Sequence, residues 1–306
     1  MLDLAQPLPI PGPIRRRLDR TQARLLHPNP DRATDFTRPL GEPALVGPDS
    51  VSWRVFKNPV ALFVGGVAAV VLELAEPRVR AGVWDHSTFR KDPLRRMQRT
   101  GLAALVGVYG PRSTAEQMIA GVVRMHDRIT GVASDGRPYR ANDPELLTWV
   151  AATASYGFGE AYSRWASPLS DAEFDRFYAE GVETIGLYGA PDAPSTRAGI
   201  EHLIDSWSGR LHPSAELQEF LGIMAGRPLL PASMRPLQAP MVRAAVDTLP
   251  NWAVERLELG GWRPNPLDRV AVRAAGAAAD RMVLDSNPAV QACVRMGLPR
   301  EHLYRG

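Results

Sequence analysis

The stretch PVALFVGGVAAVVLELA, residues 59–75, decides how the chain is read. Its uncharged run, Pro59 to Leu72, is apolar on every face. A helix apolar all round is either buried in a large core or sits in a membrane. The run falls short of the roughly 20 residues a membrane span requires, and Gly65-Gly66 interrupts it. It therefore reads as a core helix, around which the remaining chain must pack, with no transmembrane segment.

The flanks of this helix set the punctuation for the chain. Asn58 stands before Pro59, a side chain that caps a helix followed by a residue that suits its first turn. The same pair recurs at Asp92-Pro93, Asp143-Pro144, Asn265-Pro266 and Asn287-Pro288. Ser113 with Glu116 and Ser170 with Glu173 read as capping boxes. Further helical runs fall near 13–26, 49–57, 196–208, 214–225, 237–248 and 250–259. Period-two alternation is scarce, and only 131–141 (GVASDGRPYRA) offers a short hairpin or an irregular loop. The expectation is an all-α chain of about ten helices. A Pro/Arg-rich arm over 1–45 wraps a single helical domain over 46–306.

Composition narrows the function classes. The 36 Lys and Arg against 33 Asp and Glu give a net charge of +3, interleaved along the chain, with no nucleic-acid footprint. One cysteine, Cys293, excludes an internal disulfide and cysteine-rich metal sites. The N-terminal apolar residues precede the basic ones, the wrong order for a secretory signal, so a cytoplasmic location is expected. HExxH, GxSxG, GxGxxG and P-loop patterns are missing.

Two histidines stand out from six. His27, His202, His212 and His302 lie in polar or loop-like contexts that suit solvated or capping roles. His86 lies in VWDHSTF, read as an inter-helix loop. His126 is different. In STAEQMIAGVVRMHDRITG, with Gly131 just past the helix end, it shares a face with Ile119, Val122, Val123 and Ile129. It is either a core histidine satisfied by a hydrogen bond or a ligand to something buried. The preceding helix, DPLRRMQRTGLAALVGVYG, aligns Arg96, Arg99, Thr100 and Ala103, continued by Gly107. That line is a solvated basic edge or a cleft whose guanidiniums face an anion or a polarised oxygen.

The order Asp85-His86-Ser87, Asp92-Pro93, Arg96-x-x-Arg99-Thr100, His126 with Gly131, and GRPYRANDPELLTWV at 136–150 resembles one family. It is the rubber-oxygenase superfamily, which holds latex clearing proteins and MpaB-type oxygenases. The resemblance covers roughly 45–190. It implies a globin-like all-α core, a haem b, and oxidative cleavage of isoprenoid C=C bonds. On that resemblance His126 corresponds to the histidine that binds iron, and Ile119, Val122 and Val123 to the apolar wall of the haem slot. Arg96, Arg99, Thr100 and, with them, His86 are the catalytic candidates. Arg99 occupies a position where latex clearing proteins carry a lysine able to ligate iron. A guanidinium offers no lone pair, so the far side of the iron is expected to stay open or water-bound. Glu76 replaces the histidine of an Ala-His-Pro pattern, and Glu76 and Asp85 are the candidates for a catalytic base.

Three functions follow as expectations. The first is a haem-dependent oxygenase using dioxygen on an apolar small molecule. The second is a metal-free helical binding protein of the same fold. The third is an enzyme of another class that takes an anionic substrate in the arginine-lined cleft.

Overall fold

The computed structural model of the chain describes residues 6–26 and 34–304. His27 therefore lies outside the described residues. The helices run in the order α1 (Gly12–Leu26), α2 (Val51–Phe56), α3 (Pro59–Ala75), α4 (Pro77–His86), α5 (Pro93–Tyr109) and α6 (Arg112–His126). A hairpin of β1 (Thr130–Val132) and β2 (Pro138–Arg140) follows, then α7 (Pro144–Trp165), α8 (Asp171–Glu180) and α9 (Val182–Leu187). The chain closes with α10 (Arg197–Ser206), α11 (Ala215–Gly226), α12 (Arg235–Thr248), α13 (Asn251–Arg256), α14 (Pro266–Ala279) and α15 (Pro288–Arg295). The fold is all-α. Its helices among the described residues number fifteen rather than about ten, and the surplus is short helices.

The caps explain where the helices start. Asn58 accepts from the amides of Val60 and Ala61, Asp92 from Arg95 and Asp143 from Glu145. Asn265 accepts from Asp268 and Asn287 from Ala289. The Ser170–Glu173 capping box is formed. The Ser113–Glu116 box is not. Pro111 holds the N-cap position of α6, and the Ser113 amide donates instead to Glu42. A sixth cap–proline start, Glu76-Pro77, caps α4 through the amides of Arg78 and Val79. His86 is consequently the last residue of a helix and not a loop residue. Gly131 is likewise no helix stop, because α6 ends at His126. Gly131 lies in β1, paired with Tyr139, where a Cβ would fall 2.7 Å from the tyrosine hydroxyl.

The core sits around α3, which packs along α7 and touches α2, α4, α11, α12 and α14. The two central helices meet through glycine. A Cβ on Gly65 would lie 2.7 Å from the Gly157 carbonyl oxygen, and one on Gly157 would lie 2.5 Å from that of Gly65. The backbones are in direct contact, which draws most of α3 out of solvent. Among the described residues no single helix is long and apolar enough to cross a membrane. The bent pair α3–α4 meets that length and composition together but turns by 111°.

Gly65→Ala is expected to lower the unfolding midpoint, at a cost of about 1–3 kcal/mol for a methyl forced against backbone. Gly101→Ala, on the exposed side of α5 with open space around it, is the matched control. It is expected to be neutral or stabilising by about 0.5–1 kcal/mol. Urea denaturation of both variants checks this.

Candidate functional site

Three helices contribute to one locality. Glu73 stands in the last turn of α3, Arg96 in the first half of α5, and His126 closes α6. Glu73 is largely enclosed by protein yet keeps some accessible surface. Along the same stripe of α3, Leu62, Gly66 and Val70 also keep accessible surface, while most of the helix is buried. Burial pushes the Glu73 carboxyl up to about 7, against the opposing pull of the Arg96 charge. Arg96 feels burial first, which lowers its pKa, then Glu73, which raises it, then Arg99, which lowers it. Its guanidinium meets the Thr100 hydroxyl, which donates back to the Arg96 carbonyl at 3.0 Å.

His126 closes the set. Burial holds its imidazole below the ordinary pKa, the neighbouring Asn142 amide acts in the other direction, and the Arg96 charge adds to the lowering. The ring is therefore neutral at pH 7 and keeps a lone pair. Its Nδ1 is buried without a hydrogen-bond partner. Ile119 is fully buried, and Val122 and Val123 are half-buried on the same face.

The structure thus brings together Arg96, Thr100 and His126. Arg99 is exposed at the outer edge of the set, close enough for its charge to reach Arg96. His86 is placed differently. Its Nε2 lies 3.1 Å from the hydroxyl of Tyr139, on the hairpin, and no described interaction joins it to Arg96 or His126. Glu76 is fully buried as the α4 cap and holds Arg78 at 3.0 Å and Arg137 at 3.2 Å. Asp85 is exposed.

Glu73 is the residue that sequence reasoning missed. It was visible as the single charge in residues 59–75, but there it reads only as the end of an apolar run. Its importance depends on α3 being central, so that its last turn faces inward. A carboxyl titrating near 7 beside a guanidinium can hold or release a proton at neutral pH.

Among the described residues no three His, Cys, Asp or Glu side chains gather to cage a metal. A lone imidazole completes a site only for a metal that brings its own ligands, as a haem iron does. The cleft lined by Asp205, Ser208, Trp252 and Arg256 shares no residue with this set. Its polar groups are already bonded, Trp252 Nε1 to Asp205 and Arg256 Nε to the Leu211 carbonyl.

Comparison with known families decides what these residues belong to. Residues 53–281 match the catalytic domain described as ER-bound oxygenase mpaB/B′/rubber oxygenase. The chain belongs to the mpaB/rubber oxygenase family. The match covers the whole of α3 to α14, well beyond the 45–190 segment that carries recognisable motifs. Two mycobacterial proteins are similar, uncharacterized protein Mb2261 of Mycobacterium bovis and uncharacterized protein Rv2237 of Mycobacterium tuberculosis. Each is 27% identical over 179 residues, 56% of this chain and 70% of its own. No solved structure matches the chain. Membership makes the chain one of an oxygenase family, with Glu73, Arg96, Thr100 and His126 all inside the matched catalytic domain.

The burial of Glu73 has a measurable consequence. A carboxyl near 7 when folded and near 4.5 when unfolded binds more protons in the native state across that window. Its contribution is complete below about 4.5 and is lost as pH rises to about 7, a cost of about 3 kcal/mol. Wild type is expected to lose stability relative to Glu73→Gln between pH 5 and pH 8, read by urea denaturation at both.

Proposed function

We propose that this oxygenase-family protein is haem-dependent and acts on an apolar, isoprenoid-like small molecule. His126 is the protein ligand to iron. The observation that carries the reading is a neutral imidazole at the end of α6, with apolar neighbours on its face and a partly desolvated guanidinium within electrostatic reach. The donor set fits the group. It supplies one nitrogen lone pair, an apolar face from Ile119, Val122 and Val123, and polarity concentrated at Arg96 and Thr100. The globin-like arrangement implied by the family belongs to this same proposal.

The haem, when bound, supplies the redox chemistry that lets dioxygen react with a C=C bond. The chain's own residues do the rest. Arg96 presents N–H donors toward negative charge that develops on oxygen, in a site where water is partly excluded. Thr100, bonded to Arg96, holds that guanidinium in one orientation. Glu73 takes a proton or returns it at its carboxylate, a role that its position near 7 suits at neutral pH. His86 has no part in this proposal, since its ring is engaged with Tyr139. Arg99 has no lone pair to offer iron, so it would not act as a second protein ligand to a haem held by His126.

Haem titrated into the purified protein is expected to give a Soret band that saturates at one equivalent. The ferric spectrum is expected to be high-spin, five-coordinate or water-bound. No spectral change and no retained iron would favour the metal-free binding protein. A low-spin spectrum with nitrogen on both sides would overturn the open-site reading of Arg99.

A further inference from the structure

Two buried polar atoms without hydrogen-bond partners belong to neighbouring side chains at the end of α6, for the Asn142 amide acts on the His126 imidazole. One is Nδ1 of His126 and the other is Oδ1 of Asn142. Asn142 sits between the hairpin and α7, two residues before Pro144, and its amide orientation is fixed by its surroundings. The amide nitrogen donates to the Val123 carbonyl at 3.0 Å and to Asp127 Oδ1 at 2.7 Å. Both of those partners are acceptors, so the NH₂ group must face them and the amide oxygen must turn away. That oxygen then has nothing to accept from. The backbone reinforces the placement, because the Ala141 amide donates to the Ile129 carbonyl and the Ile129 amide donates to that of His126.

A buried acceptor without a donor is costly, as is a buried ring nitrogen without a partner. One arrangement removes both costs. A proton on Nδ1 lets His126 donate to Asn142 Oδ1, and it leaves the lone pair on Nε2. A histidine that ligates a metal almost always donates its other ring N–H in this way, which fixes the tautomer and the ring orientation. We propose that Asn142 is the positioning residue for His126, holding the imidazole as the Nδ1–H tautomer with Nε2 presented as the ligating nitrogen. Asp127 and the Val123 carbonyl anchor Asn142 in turn. The assignment rests on the haem reading for what Nε2 binds, while the tautomer itself is a property of the protein alone.

The alternative is that Asn142 only terminates α6 by satisfying the Val123 carbonyl, and nitrogen NMR of the protein before haem is added separates the two. Wild type is expected to show His126 predominantly as the Nδ1–H tautomer. Asn142→Leu, which has no acceptor, is expected to shift it to a mixture rich in Nε2–H. Asn142→Asp, which keeps an acceptor, is expected to retain Nδ1–H. After reconstitution, the Leu variant is expected to bind haem about 10–100-fold more weakly, with a shifted iron–histidine stretching frequency. Wild type dominated by Nε2–H overturns the proposal, and that measurement needs no variant to fold. So does an unchanged tautomer and stretching frequency in Asn142→Leu. If the tautomers behave as expected but haem does not bind, the haem reading falls and the role of Asn142 in setting the ring stands.

Discussion

The contact between Gly65 and Gly157 is the constraint on which the rest of the molecule depends. It lets α3 and α7 approach until carbonyl oxygens occupy the space of side chains. With α3 at the centre, other helices cover its remaining faces, and the residues of its last turn are largely withdrawn from water. Glu73 belongs to that turn. Its carboxyl is held near 7 by burial, and the native state bears a cost of about 3 kcal/mol at neutral pH. Few proteins keep such a group where packing alone would favour a leucine. Its proximity to Arg96, on a second helix, gives the cost a chemical use.

The other half of the site is built at the end of a helix. α6 stops at His126 because the chain turns into a hairpin whose far strand returns to the start of α7. That return delivers Asn142 to the last turn of α6, where it binds Val123 and Asp127. The same α7 that fixes α3 through Gly157 therefore also locates His126, through the residues just before its own N-cap. One carboxyl, one guanidinium and one imidazole are gathered by three helices, α3, α5 and α6. Arg96 is the common neighbour, its charge lowering the pKa of both Glu73 and His126.

Much of this was legible in the sequence for a local reason. Caps and first-turn prolines act within four residues, so Asn58, Asp92, Asp143, Asn265 and Asn287 mark their helices correctly. The segment after His126 reads as a short hairpin or an irregular loop, and the structure makes it a hairpin. Local patterns misled where two of them competed. Ser113 and Glu116 spell a capping box, but Pro111 starts α6 two residues earlier, and Glu42 claims the Ser113 amide. Glu76 looked like a replaced catalytic histidine, yet its carboxylate is consumed by the α4 amides and by Arg78 and Arg137. Glu73 was hidden because its meaning is tertiary. Nothing within four residues says that its side of α3 faces Arg96. Thr100 and Arg96 were found together because a helix places residues four apart side by side.

The central claim is that His126 is the protein's ligand to a haem iron. Replacing it with glycine and supplying the missing ring from solution tests this most directly. His126→Gly protein, loaded with haem in the absence and presence of imidazole, is read by its visible spectrum and retained iron. The account predicts weak, heterogeneous haem binding that imidazole restores to the wild-type spectrum. A His126→Gly protein that binds haem stoichiometrically with the wild-type spectrum and without imidazole would contradict it.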